Sequence, residues 1–172
     1  SAEVPIVVVD VMRGGPSTGI PAKSEQSDLS FAVSGLSGDA PRLVLAPTSI
    51  GDCLATTQWA VELAEALQAP AIVLSDQFMG QSRAIIDRPA DVAYVGKRLT
   101  AAANAPDYKR YRNTESGISP MAIPGTPGIA YTADGLEHTE VGIPSSQSRD
   151  HATQLDKRLR KLSQHDYGRF WA

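Results

Sequence analysis

Three short apolar runs constrain this chain more than any other feature. They lie at residues 5–10, 42–46 and 71–75. The first holds Ile6, Val7, Val8 and Val9 in one unbroken β-branched stretch. None of the three alternates apolar with polar, so each reads as a strand buried on both faces, the habit of parallel sheets. Between them the pattern turns helical. Ser24 is placed to cap a helix reaching about Ser37, with Glu25 and Asp28 in its first turns and Leu29, Val33 and Leu36 on its apolar face. Thr48 or Ser49 is placed to cap a second helix. Asp52 stands three residues after Ser49, and the helix ends at Ala69-Pro70. Strand–helix–strand–helix–strand in this order predicts an α/β fold, a parallel sheet flanked by helices.

Beyond Gln77 the character changes. Residues 87–145 are rich in Pro, Gly, Ser and Thr and carry no strong period. A stretch of that length is too long for a simple loop, so it reads as an irregular arm or excursion packing on a partner or on the same domain. A charged helix follows from about Ser146, with Lys157, Arg158, Arg160 and Lys161 in its later turns; these read as a solvated face. The expected division is therefore 1–86 for the α/β domain, 87–145 for the excursion and 146–172 for the helix.

Composition narrows the function. Of the 172 residues, 16 are Lys or Arg and 19 are Asp or Glu, a net charge of −3 that argues against a nucleic-acid partner. The single cysteine, Cys53, excludes an internal disulfide and any cluster held by this chain's cysteines. Its helical setting reads as a buried, inert thiol. No segment nears the ~20 apolar residues that cross a bilayer, and no membrane association is expected. His138, between Glu137 and Glu140, has no metal-ligand spacing and reads as a hydrogen-bonded or interface histidine. No metal site is expected.

The chemistry lies between Asp10 and Asp28. This is a loop leaving a strand's carboxyl end and running into a helix, the place where open α/β sheets bind ligands. Gly14, Gly15 and Gly19 let backbone approach a ligand. Arg13 offers a planar fork that fits a carboxylate or phosphate with two hydrogen bonds. Ser17 and Thr18 add hydroxyls. A phosphate-binding P-loop would need Lys-Ser/Thr after the last glycine, but Ile20 follows Gly19; the dinucleotide Gly-x-Gly-x-x-Gly is also absent. On the residues alone, two readings stay open: a ligand loop, or a glycine-rich turn whose Arg13 pairs with a surface carboxylate.

The run Arg13-Gly-Gly-Pro-Ser-Thr-Gly-Ile-Pro-Ala-Lys-Ser-Glu-Gln-Ser-Asp28 resembles a signature of 2-oxoacid:ferredoxin oxidoreductase alpha subunits, above all the 2-oxoglutarate type. So do Leu74-Ser-Asp-Gln77, Tyr111-Arg-Asn-Thr-Glu-Ser-Gly-Ile-Ser-Pro-Met-Ala-Ile-Pro-Gly-Thr126, Gly135-Leu-Glu-His-Thr-Glu-Val-Gly142 and Asp156-Lys-Arg-Leu-Arg-Lys161, in the family's order. The resemblance implies the pyrimidine-type thiamine-diphosphate-binding fold and an internal piece of a longer alpha subunit. It implies oxidation of a 2-oxoacid with coenzyme A to an acyl-CoA, carbon dioxide and reduced ferredoxin. The expected substrate residues are Arg13, Gly14, Gly15, Ser17 and Thr18, with Arg13 matching the arginine that grips the substrate carboxylate. The family often has Thr where Ala22 stands, close to the substrate.

Thiamine diphosphate with Mg²⁺ would be completed by a beta subunit, which in the 2-oxoglutarate type also carries an iron–sulfur cluster. No cofactor is expected on this piece alone, and no catalytic residue. Gly38-Asp39 and Gly51-Asp52 lack the rest of the Gly-Asp-Gly…Asn diphosphate motif; the only asparagines are Asn104 and Asn113. A cytoplasmic enzyme built as an alpha–beta heterodimer, or a dimer of it, is expected. Pyruvate or branched-chain 2-oxoacids are the alternative substrates, and a non-catalytic binding or assembly module on the same fold is the alternative class.

Overall fold

The structure is a computed structural model, described here for residues 1–15, 20, 23–89 and 95–168. It divides into two compact units. One comprises Val4–Gly38 and Arg42–Lys97; the other comprises Ser1–Glu3, Asp39–Pro41 and Arg98–Ala172.

The first unit is an open parallel sheet of three strands: β1 (Ile6–Met12), β2 (Leu43–Leu45) and β3 (Pro70–Asp76), in the order β1-β3-β2. β1 pairs with β3 from Ile6 opposite Pro70 to Met12 opposite Asp76, and β2 pairs with β3 from Leu43 opposite Ala71. Pro70 can open a strand because only the first residue of a ladder tolerates a missing donor.

β3 is the central strand, with Ala71, Val73, Leu74 and Ser75 buried. Residues opposite one another share a face, so Val8, Asp10, Met12, Val44, Ile72 and Leu74 line one side. There Met12, Ala32 and Leu74 form a buried cluster with Val44 and Ile72 packed against it. β1 departs from the doubly buried strand of the sequence reading. Ile6, Val8, Val9 and Val11 all stay more than two-fifths exposed. An unbroken β-branched run reports the habit of a parallel strand; how far it is covered depends on what lies beside it, and β3 flanks β1 on one side only among the described residues.

α2 (Asp52–Leu67) runs against β3 and buries Thr56, Ala60, Leu63, Ala64 and Leu67. Trp59 is half-buried on this helix. The signals at the start of α2 work as their chemistry dictates. The Asp52 amide donates to Ser49 Oγ (3.1 Å), and Asp52 Oδ2 accepts from the Thr48 amide (2.9 Å) and hydroxyl (3.2 Å). Asp52→Ala removes the carboxylate that accepts both Thr48 bonds and should cost about 1 kcal/mol, read as a small fall in melting temperature without change in helix content. At the far end Gln68 takes a left-handed conformation (φ 48°) and is fully buried. Cys53 is half-buried rather than buried, its thiol 3.9 Å from Met79 Sδ.

The helix expected after Ser24 is shorter than its pattern. α1 covers only Asp28–Ser30 and runs into a π-helical turn, Phe31–Gly35. A further helix with no counterpart in the sequence reading, α3 (Gln77–Gln81), follows β3 directly.

The second unit is irregular apart from α4 (Ser148–Ser163). Scattered backbone bonds hold it: Ala101 N–H to Met121 O, Tyr111 N–H to Glu140 O and Ser145 N–H to Glu137 O. Tyr108 Oη donates to Pro120 O and accepts from the Ala122 amide. The interior is polar, which contradicts the solvated face read for 157–161. Lys157, Arg158 and Lys161 are buried, along with Glu3, Arg110, Tyr111 and His138.

Both lysines of α4 clasp one carboxylate. Lys157 Nζ lies 2.7 and 2.8 Å from the two Glu3 oxygens, and Lys161 Nζ 2.9 Å from Oε2. Arg110 donates to the Glu3 carbonyl at 2.7 Å. Arg158 makes a two-pronged pair with Glu137 (3.1 and 2.6 Å). Burial pushes the Glu3 carboxyl up, but the two ammonium groups outweigh it and hold it at about 2. Burial pushes Lys157 down to about 8 against the pull of Glu3. His138 stacks on Tyr111 at 3.8 Å, its ring nitrogens facing the carbonyls of Thr139 and Ser1.

Candidate functional site

Three parallel strands bring their carboxyl ends to one edge, and the loop after β1 stands there. Arg13 is the first residue past the strand and is half-buried. Among the described residues its guanidinium makes no hydrogen bond and no ion pair.

Gly14 is buried and bridges antiparallel to Ile20. The bridge carries the Ile20 amide to the Gly14 carbonyl (2.8 Å), the Gly14 amide to Lys23 O (3.2 Å) and the Lys23 amide to Ile20 O (3.1 Å). A Cβ at Gly14 would stand 3.2 Å from Glu25 Oε2, closer than ordinary packing, so glycine fits best here. Gly15 is exposed and faces open space. Ser17 and Thr18 lie outside the described residues, as does Ala22.

The neighbouring strand end supplies what the motif reading missed. Met12 pairs with Asp76, the N-cap of α3, whose carboxylate accepts from the Met79 amide at 2.7 Å. Ser24 caps nothing in its own segment; its hydroxyl accepts from the Phe78 amide in the first turn of α3, 2.9 Å away. The tetrad 74–77 was the available signal, since an Asp immediately after a strand is a common N-cap. On β1, burial first and the Asp28 charge second raise the Asp10 carboxyl above its ordinary range. Among the described residues no three His, Cys, Asp or Glu come together to hold a metal ion. No helix among them is long and apolar enough to cross a membrane.

The family model described as pyruvate flavodoxin/ferredoxin oxidoreductase, thiamine diphosphate-binding, matches residues 1–157. The chain belongs to that family. It is 36% identical over 164 residues to the 2-oxoacid:ferredoxin oxidoreductase subunit alpha of Saccharolobus solfataricus, covering 93% of this chain and 26% of that protein. It is 34% identical over 157 residues to the 2-oxoglutarate synthase subunit KorA of Methanothermobacter marburgensis, covering 91% of this chain and 41% of that protein. Among solved structures it is similar to the 2-oxoglutarate:ferredoxin oxidoreductase of Magnetococcus marinus with 2-oxoglutarate, coenzyme A and succinyl-CoA bound. The TM-score is 0.84 at 45% identity, over 94% of this chain and 28% of that one. The chain thus spans about a quarter to two-fifths of the length of these relatives. The parallel sheet with flanking helices is the thiamine-diphosphate-binding fold of this family.

Proposed function

We propose that this chain is part of the alpha subunit of a 2-oxoacid:ferredoxin oxidoreductase and binds the carboxylate end of the substrate. The enzyme converts 2-oxoglutarate, coenzyme A and oxidised ferredoxin to succinyl-CoA, carbon dioxide and reduced ferredoxin. The observation that carries the reading is Arg13, a guanidinium without a partner among the described residues, at the carboxyl edge of a parallel sheet beside a glycine loop. Gly14, Gly15, Ser17 and Thr18 complete the substrate side in this proposal. The 45% identity to a protein whose structure holds 2-oxoglutarate, coenzyme A and succinyl-CoA supports the substrate assignment. A broader 2-oxoacid range is the second reading, favoured by the name of the Saccharolobus relative.

Thiamine diphosphate, when bound, supplies the nucleophilic carbon of its thiazolium ring. An arginine without a hydrogen-bond or ion-pair partner among the described residues and backbone open to a ligand at Gly15 fit the substrate side of such a site. For its metal side, no three His, Cys, Asp or Glu come together among the described residues. The Mg²⁺–diphosphate half, an iron–sulfur cluster and the approach to ferredoxin are assigned to a beta subunit in a cytoplasmic alpha–beta assembly. Arg13 would hold the carboxylate bidentately, so that the keto carbon arrives in one orientation; positioning of this kind is where a binding residue contributes to rate.

Viologen-dye reduction dependent on a 2-oxoacid and coenzyme A tests the assignment. The full-length alpha subunit with its beta partner should reduce the dye, fastest with 2-oxoglutarate, and the 172-residue chain alone should not. Turnover by the purified chain alone would reject the proposal.

A further inference from the structure

We infer that Ser24 is a positioning residue for the Arg13 loop, tying its Lys23 end to the first turn of α3. The inference rests on the reading of Arg13 as the carboxylate-binding residue. β1 ends at Met12 beside Asp76, so Arg13 leaves the sheet next to the N-cap of α3. The loop then folds back through the Gly14–Ile20 bridge and reaches Lys23. Ser24, the next residue, bonds to the Phe78 amide. Strand end, Lys23, serine, helix turn and neighbouring strand are linked in turn, and the Ser24 hydroxyl supplies the link from the Lys23 side to α3.

The division of donors shows why this link suits a positioning role. A helix start leaves its first amides without partners. Asp76 takes the Met79 amide, and Ser24 takes the Phe78 amide. The Ser24–Phe78 bond is exposed. If the hydroxyl is removed, water can take the Phe78 amide and the fold loses little. Lys23 loses its fixed distance from α3, and with it the backbone bond that ties it to Gly14, the residue next to Arg13.

The test uses the complete enzyme, with Ser24→Ala, Ser24→Thr and Arg13→Lys compared. One neutral hydrogen bond corresponds to about a 2- to 10-fold change. Ser24→Ala should therefore raise KM for the 2-oxoacid by that factor and leave KM for coenzyme A unchanged. Amide exchange at Phe78, Gly14, Ile20 and Lys23 should quicken, and Ser24→Thr, which keeps the hydroxyl, should restore both readouts. Unchanged 2-oxoacid KM and exchange in Ser24→Ala would overturn the inference, as would an equal rise in both KM values. If Arg13→Lys is silent while Ser24→Ala raises KM and exchange, the Arg13 reading fails and the hold of Ser24 on the loop stands.

Discussion

Glu3→Ala is expected to be the most damaging single substitution outside the ligand loop. It leaves two ammonium groups, Lys157 and Lys161, buried with Arg110 and without their carboxylate. Breaking a buried pair from one side costs about 3–5 kcal/mol. For a chain of this size that lowers Tm by roughly 6 to 20 °C. Glu3→Gln keeps the shape but not the charge and should fall near the alanine variant. Lys157→Met combined with Glu3→Gln should recover part of the loss, because it removes one of the two charges that losing Glu3 leaves stranded.

The pH dependence separates the partners. The folded Glu3 carboxyl sits at about 2 against an ordinary 4.5, so its stabilisation is present above about pH 4.5 and is lost as pH falls towards 2. The folded Lys157 ammonium sits at about 8 against 10.5, so burying it costs stability below about pH 8, and that cost is relieved as pH rises towards 10.5. Thermal melts from pH 2 to 5 should lose most of their acid slope in Glu3→Gln. A slope equal to wild type would place the acid sensitivity elsewhere.

Arg13→Lys should leave stability almost untouched and cut catalysis in the complete enzyme. The guanidinium makes no hydrogen bond and no ion pair among the described residues, so its replacement breaks none there. Lysine keeps the charge but presents a point donor where the substrate carboxylate meets a planar fork. Losing one charged hydrogen bond costs about 1.5–3 kcal/mol, so kcat/KM should fall by roughly 10- to 150-fold. Kinetics and a melt on the same variant decide the matter. Unchanged kinetics would remove Arg13 from the substrate site, and a large drop in Tm would return it to a structural ion pair.

The sheet was legible because parallel strands are short, β-branched and unbroken, and because the caps of α2 sit at fixed offsets from its start. The Arg13 loop was legible as the connection that leaves β1 at the carboxyl edge of the sheet, because glycines cluster directly after the apolar run. Two features were hidden for a physical reason. Lys157, Arg158 and Lys161 occupy the same positions in a helix pattern whether solvated or buried. Their burial depends on Glu3 and Glu137, distant in sequence. Ser24 likewise looked like the cap of its own helix, because a hydroxyl with Glu25 and Asp28 in the turns that follow it fits that role. Its actual partner, Phe78, is 54 residues on. The register of β1 against β3 brings the two strand ends together, and no local pattern records that.

The partnership of Glu3 with α4 also bears on the order of events at the ribosome. Lys157 follows Glu3 by 154 residues. At about 5–20 residues per second the lysine emerges roughly 8 to 30 s after the glutamate. Throughout that interval Glu3 stands without these lysines, and a nascent α4 that forms before they meet lacks the Glu3 carboxylate. The two stretches of the unit therefore complete each other only once α4 has been made, and the irregular segment between them has no finished interior until α4 arrives.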